Sequence, residues 1–293
     1  KGACTYGFSG GRLGDNLIAY LHAKWFACQH QIPLLYRPFP YSDRLNLHTM
    51  EVPYTRLVRK PEAPRVMQRG EEAVPPRPGE VLEIPYFPDF IWEYVRCTPH
   101  LPHFEVDWEQ PAFREMMRTL VSPRAILNLP YLPTDHLCIA VHWRKGTGVD
   151  ATSEADRVPL KLPPDSYYLE SVNTVLEHVR ERPCYLFLFT DHSKPSELVK
   201  KLQQVVPLKM RGRISWEHRS PAECRGCVLE DLFHMARFDV LIRPCSNFSY
   251  LAGKLGSPIL EVAPLEASKD QGVWRITQID WRFRPGTSYD ALR

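Results

Sequence analysis

The stretch Leu137–Gly148, with the sequence LCIAVHWRKGTG, passes from an apolar run into two adjacent cations and a glycine-containing loop. Residues 137–141 predict a buried β-strand. In open α/β sheets, ligands bind outside the carboxyl ends of the strands. A guanidinium there can bind phosphate oxygens at two points, and a neighbouring ammonium adds a point charge. Arg144 and Lys145 are therefore candidate ligands of an anionic, phosphate-bearing molecule; an ordinary surface pair of cations is the alternative.

The chain after this stretch alternates between predicted strands and predicted helices. Apolar runs predict strands at 137–141, 184–189, near Ile214, at 239–242 and at 258–262, and the segments between them predict helices at about 165–180, 195–205, 229–237 and 248–255. This alternation is typical of a doubly wound parallel sheet, whose strands are covered on both faces and are therefore apolar throughout. We predict an α/β fold for this part of the chain.

The amino-terminal segment predicts a second unit of similar construction. Residues 4–8 predict a strand, residues 9–14 a glycine-rich turn, Asp15 or Asn16 the cap of a helix, and residues 32–36 the next strand. The helix has a predicted apolar face made of Leu17, Ile18, Leu21, Trp25 and Cys28. The glycines do not form the G-x-G-x-x-G pattern of dinucleotide sites, but the turn can present backbone N–H groups and Arg12 to an anion.

Residues 53–133 hold half of the chain's 28 prolines. Because proline fixes φ and removes a hydrogen-bond donor, we expect irregular structure there, apart from a short helix at 109–120. A linker is expected around residues 130–133. The predicted domains are therefore residues 1–133 and residues 134–293.

Polar and cationic groups follow the ends of four predicted strands, namely Gly10, Gly11, Arg12, His142, Arg144, Thr190, Asp191, Ser246 and Asn247. Ser246 and Asn247 also precede a predicted helix, whose first N–H groups can bind phosphate. Together these residues predict a phosphate-rich nucleotide as the ligand. The sequence lacks the G-x-x-x-x-G-K-[ST] pattern of P-loop NTPases and the G-x-S-x-G pattern of α/β-hydrolases, so neither class is expected.

Three segments resemble motifs of one enzyme family, in the same order along the chain. Residues 142–146 are similar to the H-x-R-R-G/T motif of the GDP-fucose-dependent fucosyltransferases of the α1,2, α1,6 and protein-O-fucosyl superfamily. Residues 11–16 resemble the G-R-x-G-N-Q turn of that group, and residues 231–249 resemble its third motif, D-x7-D followed by a strand and a serine-rich turn. The loop after Arg144 is most similar to the α1,6 branch, which includes bacterial nodulation enzymes. Lys145, Asp15-Asn16 and Asn247 depart from the motifs.

The resemblance implies a GT-B architecture, in which two Rossmann-like domains face each other across a cleft, with GDP-fucose as the donor. It implies that Arg144, beside Lys145, binds the diphosphate and acts in catalysis, and that His142 and Asp231 contact the guanine. The other candidate nucleotide-sugar-binding residues are Gly11, Arg12, Asn16, Asp191, Ser246, Asn247 and Ser249. The implied reaction is the inverting transfer of fucose to a hydroxyl group of a glycan acceptor, with no metal ion or other cofactor.

Such a transfer requires a general base to accept the proton of the acceptor hydroxyl. The loop 148–157 holds three carboxylates, Asp150, Glu154 and Asp156. Glu154 lies about where the α1,6 enzymes keep a catalytic glutamate and is the candidate base. A solvated acidic loop without a catalytic role is the alternative.

Two other functions share these observations. One is a GT-B glycosyltransferase that uses another nucleotide sugar, and the other is a non-catalytic nucleotide- or glycan-binding protein with the same fold. GDP-fucose and a glycan acceptor are the expected partners. The net charge of +3, without a basic block, does not predict a nucleic-acid partner. The longest apolar runs, such as residues 184–189, are too short to span a bilayer.

The eight cysteines show no compact disulfide framework. Cys224 and Cys227 form a lone C-x-x-C, which predicts a reduced pair in a loop; a zinc site is the alternative. This usage fits a reducing compartment. We expect a bacterial cytoplasmic protein, with a Golgi or ER-lumen catalytic domain whose anchor has been removed as the alternative.

Overall fold

Two units make up the structure, a computed structural model that describes residues 2–8, 10–57, 64–67, 73–86, 106–146, 159–219 and 228–293. Unit 1 comprises Lys1–Leu127 and unit 2 comprises Asn128–Arg293. Each unit contains parallel strands and helices, so the α/β class predicted from the sequence is confirmed. Within the described part of the chain, every helix falls short of the length and apolar character that a membrane span requires.

Unit 1 contains two small parallel sheets. The strands of this unit are β1 (Ala3–Tyr6), β2 (Leu35–Tyr36), β3 (Val52–Pro53), β4 (Arg65–Val66) and β5 (Val81–Ile84), and its helices are α1 (Leu13–His30), α2 (Leu47–Met50), α3 (Tyr54–Leu57) and α4 (Pro111–Val121). One sheet has the order β1-β5-β4, the other consists of β2 and β3, and a parallel bridge from Cys4 to Leu34 brings the residue before β2 beside β1. The predicted β-α-β opening is therefore present.

Helix α1 begins at Leu13, earlier than the sequence predicted. Arg12 is its N-cap residue, so the prediction of Asp15 or Asn16 as the cap is wrong. The Asp15 carboxylate instead accepts the backbone N–H of Arg12 at 3.1 Å, from within the first turn. The helix is buried on nearly all sides over most of its length, whereas Cys28, predicted to lie on the apolar face, is exposed.

The described part of the proline-rich segment contains the strands β4 and β5, which the sequence did not predict. β5 is the middle strand of the β1-β5-β4 sheet and pairs in parallel with β1 from Ala3 opposite Val81 to Tyr6 opposite Ile84. Helix α4, predicted at 109–120, begins at Pro111. Proline has no backbone N–H, but an N–H at the first position of a helix has no partner within the helix, so no helical hydrogen bond is lost.

Unit 2 contains a six-stranded sheet. Its strands are β6 (Leu137–Trp143), β7 (Cys184–Thr190), β8 (Ile214–His218), β9 (Val240–Ile242), β10 (Leu260–Asp270) and β11 (Val273–Phe283), and its helices are α5 (Asp165–His178), α6 (Pro195–Gln204), α7 (Val228–Met235) and α8 (Asn247–Leu255). The sheet order is β11-β10-β9-β6-β7-β8, and every pairing is parallel except β10 with β11.

This order makes the sheet doubly wound. The chain runs outward from β6 through β7 to β8, returns to β9 beside β6, and then continues outward to β10. Because crossovers between parallel strands are right-handed, this reversal puts α5 and α6 on one face and α7 and α8 on the other. The direction of winding therefore changes between β6 and β9.

Two features of unit 2 correct the sequence analysis. β6 continues for two residues beyond the predicted end at Val141, because Trp143 is fully buried and its ring stacks on Tyr168 with centroids 4.7 Å apart. The chain also ends in a long antiparallel hairpin, where the sequence analysis placed only a strand at 258–262. The core lies between the sheet and its helices and includes Leu137, Ile139, Val172, Leu186, Leu202, Val240 and Leu260.

Candidate functional site

The carboxyl ends of β6 and β9 lie side by side, with Val141 opposite Ile242. In a doubly wound sheet the loops that follow such a pair of strands separate toward opposite faces and leave a crevice between them. Arg144 follows β6, and Ser246 and Asn247 follow β9. Arg144 and Ser246, 102 positions apart in the sequence, therefore both follow strands that end at the switch point of the sheet.

The loop that carries Arg144 is held by Asp191, which follows β7. The Asp191 carboxylate accepts the backbone N–H of Lys145 at 2.7 Å and that of Gly146 at 3.0 Å. Gly146 has a φ of 72°, a conformation that suits glycine. The Arg144 N–H donates to the hydroxyl of Tyr168 at 3.3 Å. The Asp191 carboxylate thus holds the loop backbone, and its predicted contact with a nucleotide stays a prediction.

The Lys145 side chain is engaged inside unit 2. Its ammonium forms an ion pair with Asp165, the first residue of α5, and lies 5.5 Å from the Trp143 ring centroid. Lys201 pairs with the same carboxylate at 2.6 Å. Burial would raise the pKa of Asp165, but the hydrogen bonds from the two lysines outweigh it and hold that pKa below its usual range. Lys145 therefore shares its charge with a carboxylate.

His142 is the second-last residue of β6, two positions before Arg144. Its imidazole ring is neutral at physiological pH. Burial, and then the charge of Arg144, lowers its pKa to about 3. Its Nδ1 is buried and has no hydrogen-bond partner among the described residues. The ring contacts Phe248 edge to face at 6.1 Å. Since a buried polar atom normally has a partner, this nitrogen is suited to bind a ligand group.

Helix α8 begins at the end of β9 with its amino terminus at the carboxyl edge of the sheet. Ser246 is the N-cap residue in an extended conformation, and Asn247 is the first helical residue. The first N–H groups of a helix attract anions, so this turn is suited to phosphate. Ser249 is fully buried, and its hydroxyl donates to the Ser246 carbonyl at 3.4 Å. Ser249 thus supports the turn in this structure.

A buried ion pair that the sequence analysis missed lies behind this turn. Arg243 Nε is 2.5 Å from Glu261 Oε1, and both side chains are almost completely buried. Arg243 also donates to the Pro244 carbonyl at 3.1 Å. Glu261 lies one strand away on β10, so only the fold brings the two charges together. The pair holds the start of the turn against the sheet.

Asp231 lies in the first turn of α7, beside Arg219. Its Oδ1 is 3.2 Å from Arg219 Nη1, which is also 3.2 Å from Glu230 Oε2. Burial raises the pKa of Asp231 to about 6, against the opposing effect of Arg219. Among the described residues, no hydrogen bond or ion pair joins Asp231 to His142. The joint guanine contact implied by the resemblance therefore stays a prediction.

The candidate residues of unit 1 form the turn between β1 and α1. The Asn16 amide donates to the Gly11 carbonyl at 3.4 Å, and the Tyr86 hydroxyl donates to Asp15 at 3.1 Å. A Cβ at Gly11 would lie 2.0 Å from Asp15 Oδ2, so this position requires glycine. Arg12 is exposed at the helix start. The turn is therefore ordered by its own side chains, with one cation at its surface.

Several candidates lie outside the described residues, namely Asp150, Glu154, Asp156, Cys224 and Cys227. Within the described ranges, no group of three His, Cys, Asp or Glu side chains is arranged to hold a metal ion. Trp25, Trp108 and Trp143 are buried in the core and are not exposed for stacking on a sugar.

A cavity that the sequence analysis did not predict adjoins Arg144. Its volume is about 510 Å³. It is lined by Arg144, Lys145, Pro159, Leu162, Pro163, Pro164, Asp165, Lys269, Gly272, Val273 and Trp274. The last four residues belong to the hairpin of β10 and β11. Arg144 thus follows a strand that ends at the switch point and also lines this cavity.

Solved structures of fucosyltransferases are similar to this chain. A point mutant of Arabidopsis thaliana FUT1 in complex with GDP matches with a TM-score of 0.55 and 14% sequence identity, over 88% of this chain and 70% of that chain. NodZ alpha-1,6-fucosyltransferase soaked with GDP-fucose matches with a TM-score of 0.49 and 16% identity, over 97% of this chain and 99% of that chain. POFUT1 in its apo form matches with a TM-score of 0.46 and 12% identity, over 86% and 94% of the two chains.

No protein-family model and no curated protein matches the sequence. At these identities the likeness to FUT1 is a likeness of fold. The family resemblance inferred from the three sequence motifs is therefore borne out at the level of the fold, which this chain shares with a fucosyltransferase that binds GDP.

Proposed function

We propose that this protein is an inverting glycosyltransferase that moves fucose from GDP-fucose to a hydroxyl group of a glycan. The observation that carries the proposal is that Arg144 and the amino terminus of α8 follow two neighbouring strands, β6 and β9, at the switch point of the unit 2 sheet. A guanidinium and a helix amino terminus are both suited to phosphate, and α/β sheets bind ligands in the crevice at this point. The shared fold with GDP-bound FUT1 and the three motifs support the same assignment.

The proposed chemistry breaks the bond between the anomeric carbon of fucose and the β-phosphate oxygen of GDP. The electron pair of that bond stays on GDP, so negative charge grows on the β-phosphate as the bond breaks. Arg144 stabilises that charge more in the transition state than in the ground state, which accelerates the step. Lys145 contributes less, because its ammonium is already paired with Asp165.

Guanine recognition is assigned to His142. Guanine carries donor groups that adenine lacks, among them its N2 amino group. A neutral imidazole offers one acceptor nitrogen, and the buried Nδ1 of His142 lies next to the proposed diphosphate site. Asp231 remains the second proposed contact and would have to exchange part of its pairing with Arg219 for the base.

The acceptor oxygen attacks the anomeric carbon from the face opposite GDP, which inverts the configuration, and a base takes the acceptor proton. Glu154 is the proposed base, with Asp150 and Asp156 as the neighbouring carboxylates that could take the role. We further propose the GT-B architecture, with residues 134–293 as the donor domain and residues 1–133, including the turn of Gly11, Arg12 and Asn16, as the acceptor side. No metal ion is required in this proposal.

A comparison of GDP, UDP and ADP in thermal or chemical unfolding tests the donor. GDP at 100 times its Kd should raise the free energy of unfolding by about 2.7 kcal/mol, and equal concentrations of UDP and ADP should raise it much less. Equal effects of all three nucleotides would contradict guanine recognition and favour another nucleotide sugar.

Release of GDP from GDP-fucose in the absence of acceptor then separates an enzyme from a binding protein. An active site that stabilises the departing GDP should transfer some fucose to water. A protein that binds GDP tightly but releases none from GDP-fucose, with or without glycans, would be a non-catalytic homologue.

A further inference from the structure

The hairpin of β10 and β11 extends beyond the carboxyl edge of the unit 2 sheet. β10 pairs with β9 only over residues 260–262, whereas its pairing with β11 continues to Asp270 opposite Val273. The extension beyond residue 262 spans roughly 25 Å at the usual rise per strand residue. Gln271 and Gly272 close the turn with φ values of 46° and 84°. Because β6 and β9 end at the same edge, the tip of the hairpin projects on the side of the sheet that holds Arg144.

The hairpin tip and the loop after β6 enclose the cavity of about 510 Å³. This volume lies within the range of roughly 300 to 1,000 Å³ that small-molecule sites occupy. Arg144 and Lys269 bring positive charge to its wall, and the larger share of its lining is apolar: Pro159, Leu162, Pro163, Pro164, Val273 and Trp274. The cavity therefore combines a phosphate-binding cation with apolar walls.

The apolar side chains of the tip are not needed to bury the core. Val273 is 61% exposed, and Trp274 is partly exposed at a point beyond the sheet. Lys269 lies directly opposite Trp274 in the antiparallel register, with its ammonium 5.7 Å from the ring centroid. This cation–π contact restricts the ring. An oriented, partly exposed tryptophan in the wall of a cavity is suited to a ligand with an apolar face.

We propose that the hairpin tip binds the sugar of the donor, with Trp274 packed against the C–H groups of the fucose ring and Val273 near its methyl group. The inference rests on the proposed function. In a nucleoside diphosphate sugar, the sugar is bonded directly to the β-phosphate, so it must lie within a few ångströms of the phosphate that Arg144 binds. Arg144 and Trp274 line the same cavity, on different walls.

The chemistry of fucose fits these walls. Fucose is a 6-deoxyhexose, so it carries a methyl group where most hexoses carry a hydroxymethyl group. Its C–H groups are weakly positive and pack favourably on the negative face of an aromatic ring. The hairpin is therefore a specificity-determining element, selecting a deoxyhexose through contacts that the nucleotide does not make.

The test compares the affinity of the protein for GDP with its affinity for GDP-fucose, by equilibrium titration without acceptor. The wild-type protein should bind GDP-fucose more tightly than GDP. In Trp274→Ala the ratio of the Kd for GDP to the Kd for GDP-fucose should fall by about two- to tenfold, while the Kd for GDP stays unchanged. Trp274→Phe should keep much of the wild-type ratio. GDP-mannose, which carries the hydroxymethyl group, should bind less tightly than GDP-fucose to the wild type, and this difference should shrink in Trp274→Ala.

Arg275→Ala is the matched control, since Arg275 is the exposed neighbour of Trp274 on β11 and is not among the residues that line the cavity. It should leave both affinities unchanged. If Trp274→Ala weakens GDP and GDP-fucose equally, or neither, the sugar does not contact the tip and the inference is overturned while the nucleotide site stands. A wild-type protein that does not bind GDP would overturn the proposed function and this inference together.

Discussion

Replacement of Asp191 should weaken nucleotide binding through the loop that its carboxylate holds. The carboxylate accepts the N–H groups of Lys145 and Gly146 at 2.7 and 3.0 Å and so fixes the loop that carries Arg144. In Asp191→Ala both acceptors are lost. The loop then samples other conformations, and only the fraction that keeps the wild-type form can bind the diphosphate with full affinity.

The size of the effect follows from the two hydrogen bonds. Bonds to a charged group contribute about 1.5–3 kcal/mol each when sheltered, and the exposure of Asp191 reduces this to about 1 kcal/mol each. A total of about 2 kcal/mol corresponds to a factor of about 30, and the apparent Kd rises in inverse proportion to the competent fraction. We therefore expect the Kd for GDP to rise by about 5- to 30-fold in Asp191→Ala. Asp191→Asn, which keeps one uncharged acceptor, should have a smaller effect.

A double-mutant cycle with Arg144→Ala shows whether Asp191 acts through the loop. The Kd for GDP is measured by titration for the wild type, the two single variants and the double variant. If Asp191 only positions Arg144, its loss should matter little once Arg144 is absent, so the two effects should be strongly non-additive. Full additivity would refute the reasoning and indicate a direct contact between Asp191 and the nucleotide. Glu197→Ala is the control and should leave the Kd unchanged, since Glu197 is an exposed acidic residue near the start of α6 that pairs with Lys194.

Four further predictions concern catalysis and stability. Arg144→Ala should lower kcat for fucose transfer by a factor of order 10² or more with the fold intact, and Arg144→Lys should recover only part of it, as initial rates will show. Glu154→Gln should abolish most fucose transfer and the acidic limb of the pH–rate profile, while the Kd for GDP stays unchanged. EDTA should leave the turnover of the wild type unchanged, whereas a metal-dependent enzyme would lose activity. His234 is buried among phenylalanine rings, and burial lowers its pKa to about 3. As the pH drops from about 6.5 toward 3, the unfolded chain therefore binds a proton at this position before the folded protein does, and the free energy of unfolding should fall by up to about 1.4 kcal/mol per pH unit. Denaturant titrations of His234→Phe should show a shallower dependence of that free energy on pH. Glu261→Gln should destabilise unit 2 by about 3–5 kcal/mol in the same titrations, because it leaves the buried Arg243 charge without its partner, and a double Arg243→Met, Glu261→Leu variant should be less destabilised than the single one.

The central part of unit 2 could be predicted because its signals are local. Continuous apolar runs mark β6, β7 and β9, and the helices between them fall close to their predicted positions. The end of β6 lies further along the chain than predicted because Trp143 packs on Tyr168 of α5, a contact that no local pattern reveals. The start of α1 lies earlier than predicted because the Asp15 side chain accepts the Arg12 N–H from inside the first turn of the helix.

The hairpin was missed because its alternation changes phase. On β11 the partly buried apolar residues are Trp274 and Ile276, followed by Ile279, Trp281 and Phe283. Gln278 pairs with Glu266 and Ile276 pairs with Ala267, so Thr277 is an extra residue between them. A bulge of this kind shifts the alternation of buried and exposed residues by one position. The alternating segments before and after the bulge are each too short to predict a strand of eleven residues.

The candidate site was predictable in its residue types and less so in their roles. A cation after a strand and a serine-rich turn before a helix are visible in the sequence, and the strand order brings them together. A site side chain can either hydrogen-bond to the protein or bind a ligand. The sequence does not show which of the two it does, because its neighbours in the fold are far away along the chain in several cases. Asp191 bonds to the backbone of the loop after β6, Ser249 bonds to the backbone of its own turn, and Arg243 has a partner, Glu261, that no local pattern reveals.

The central position of β6 has a consequence for how unit 2 is made. β6 is flanked by β9, and the Asp239 carboxylate that accepts the Cys138 N–H at 3.0 Å lies 101 residues further along the chain. While the protein is being synthesised, one edge of β6 therefore has no strand beside it until about a hundred more residues have left the ribosome. Long-range pairings of this kind fold slowly, and an open strand edge can pair with another chain in the meantime. A ligand that contacts the residues after both β6 and β9 can bind only when these two strands have paired. Its presence during refolding should therefore raise the yield of native protein.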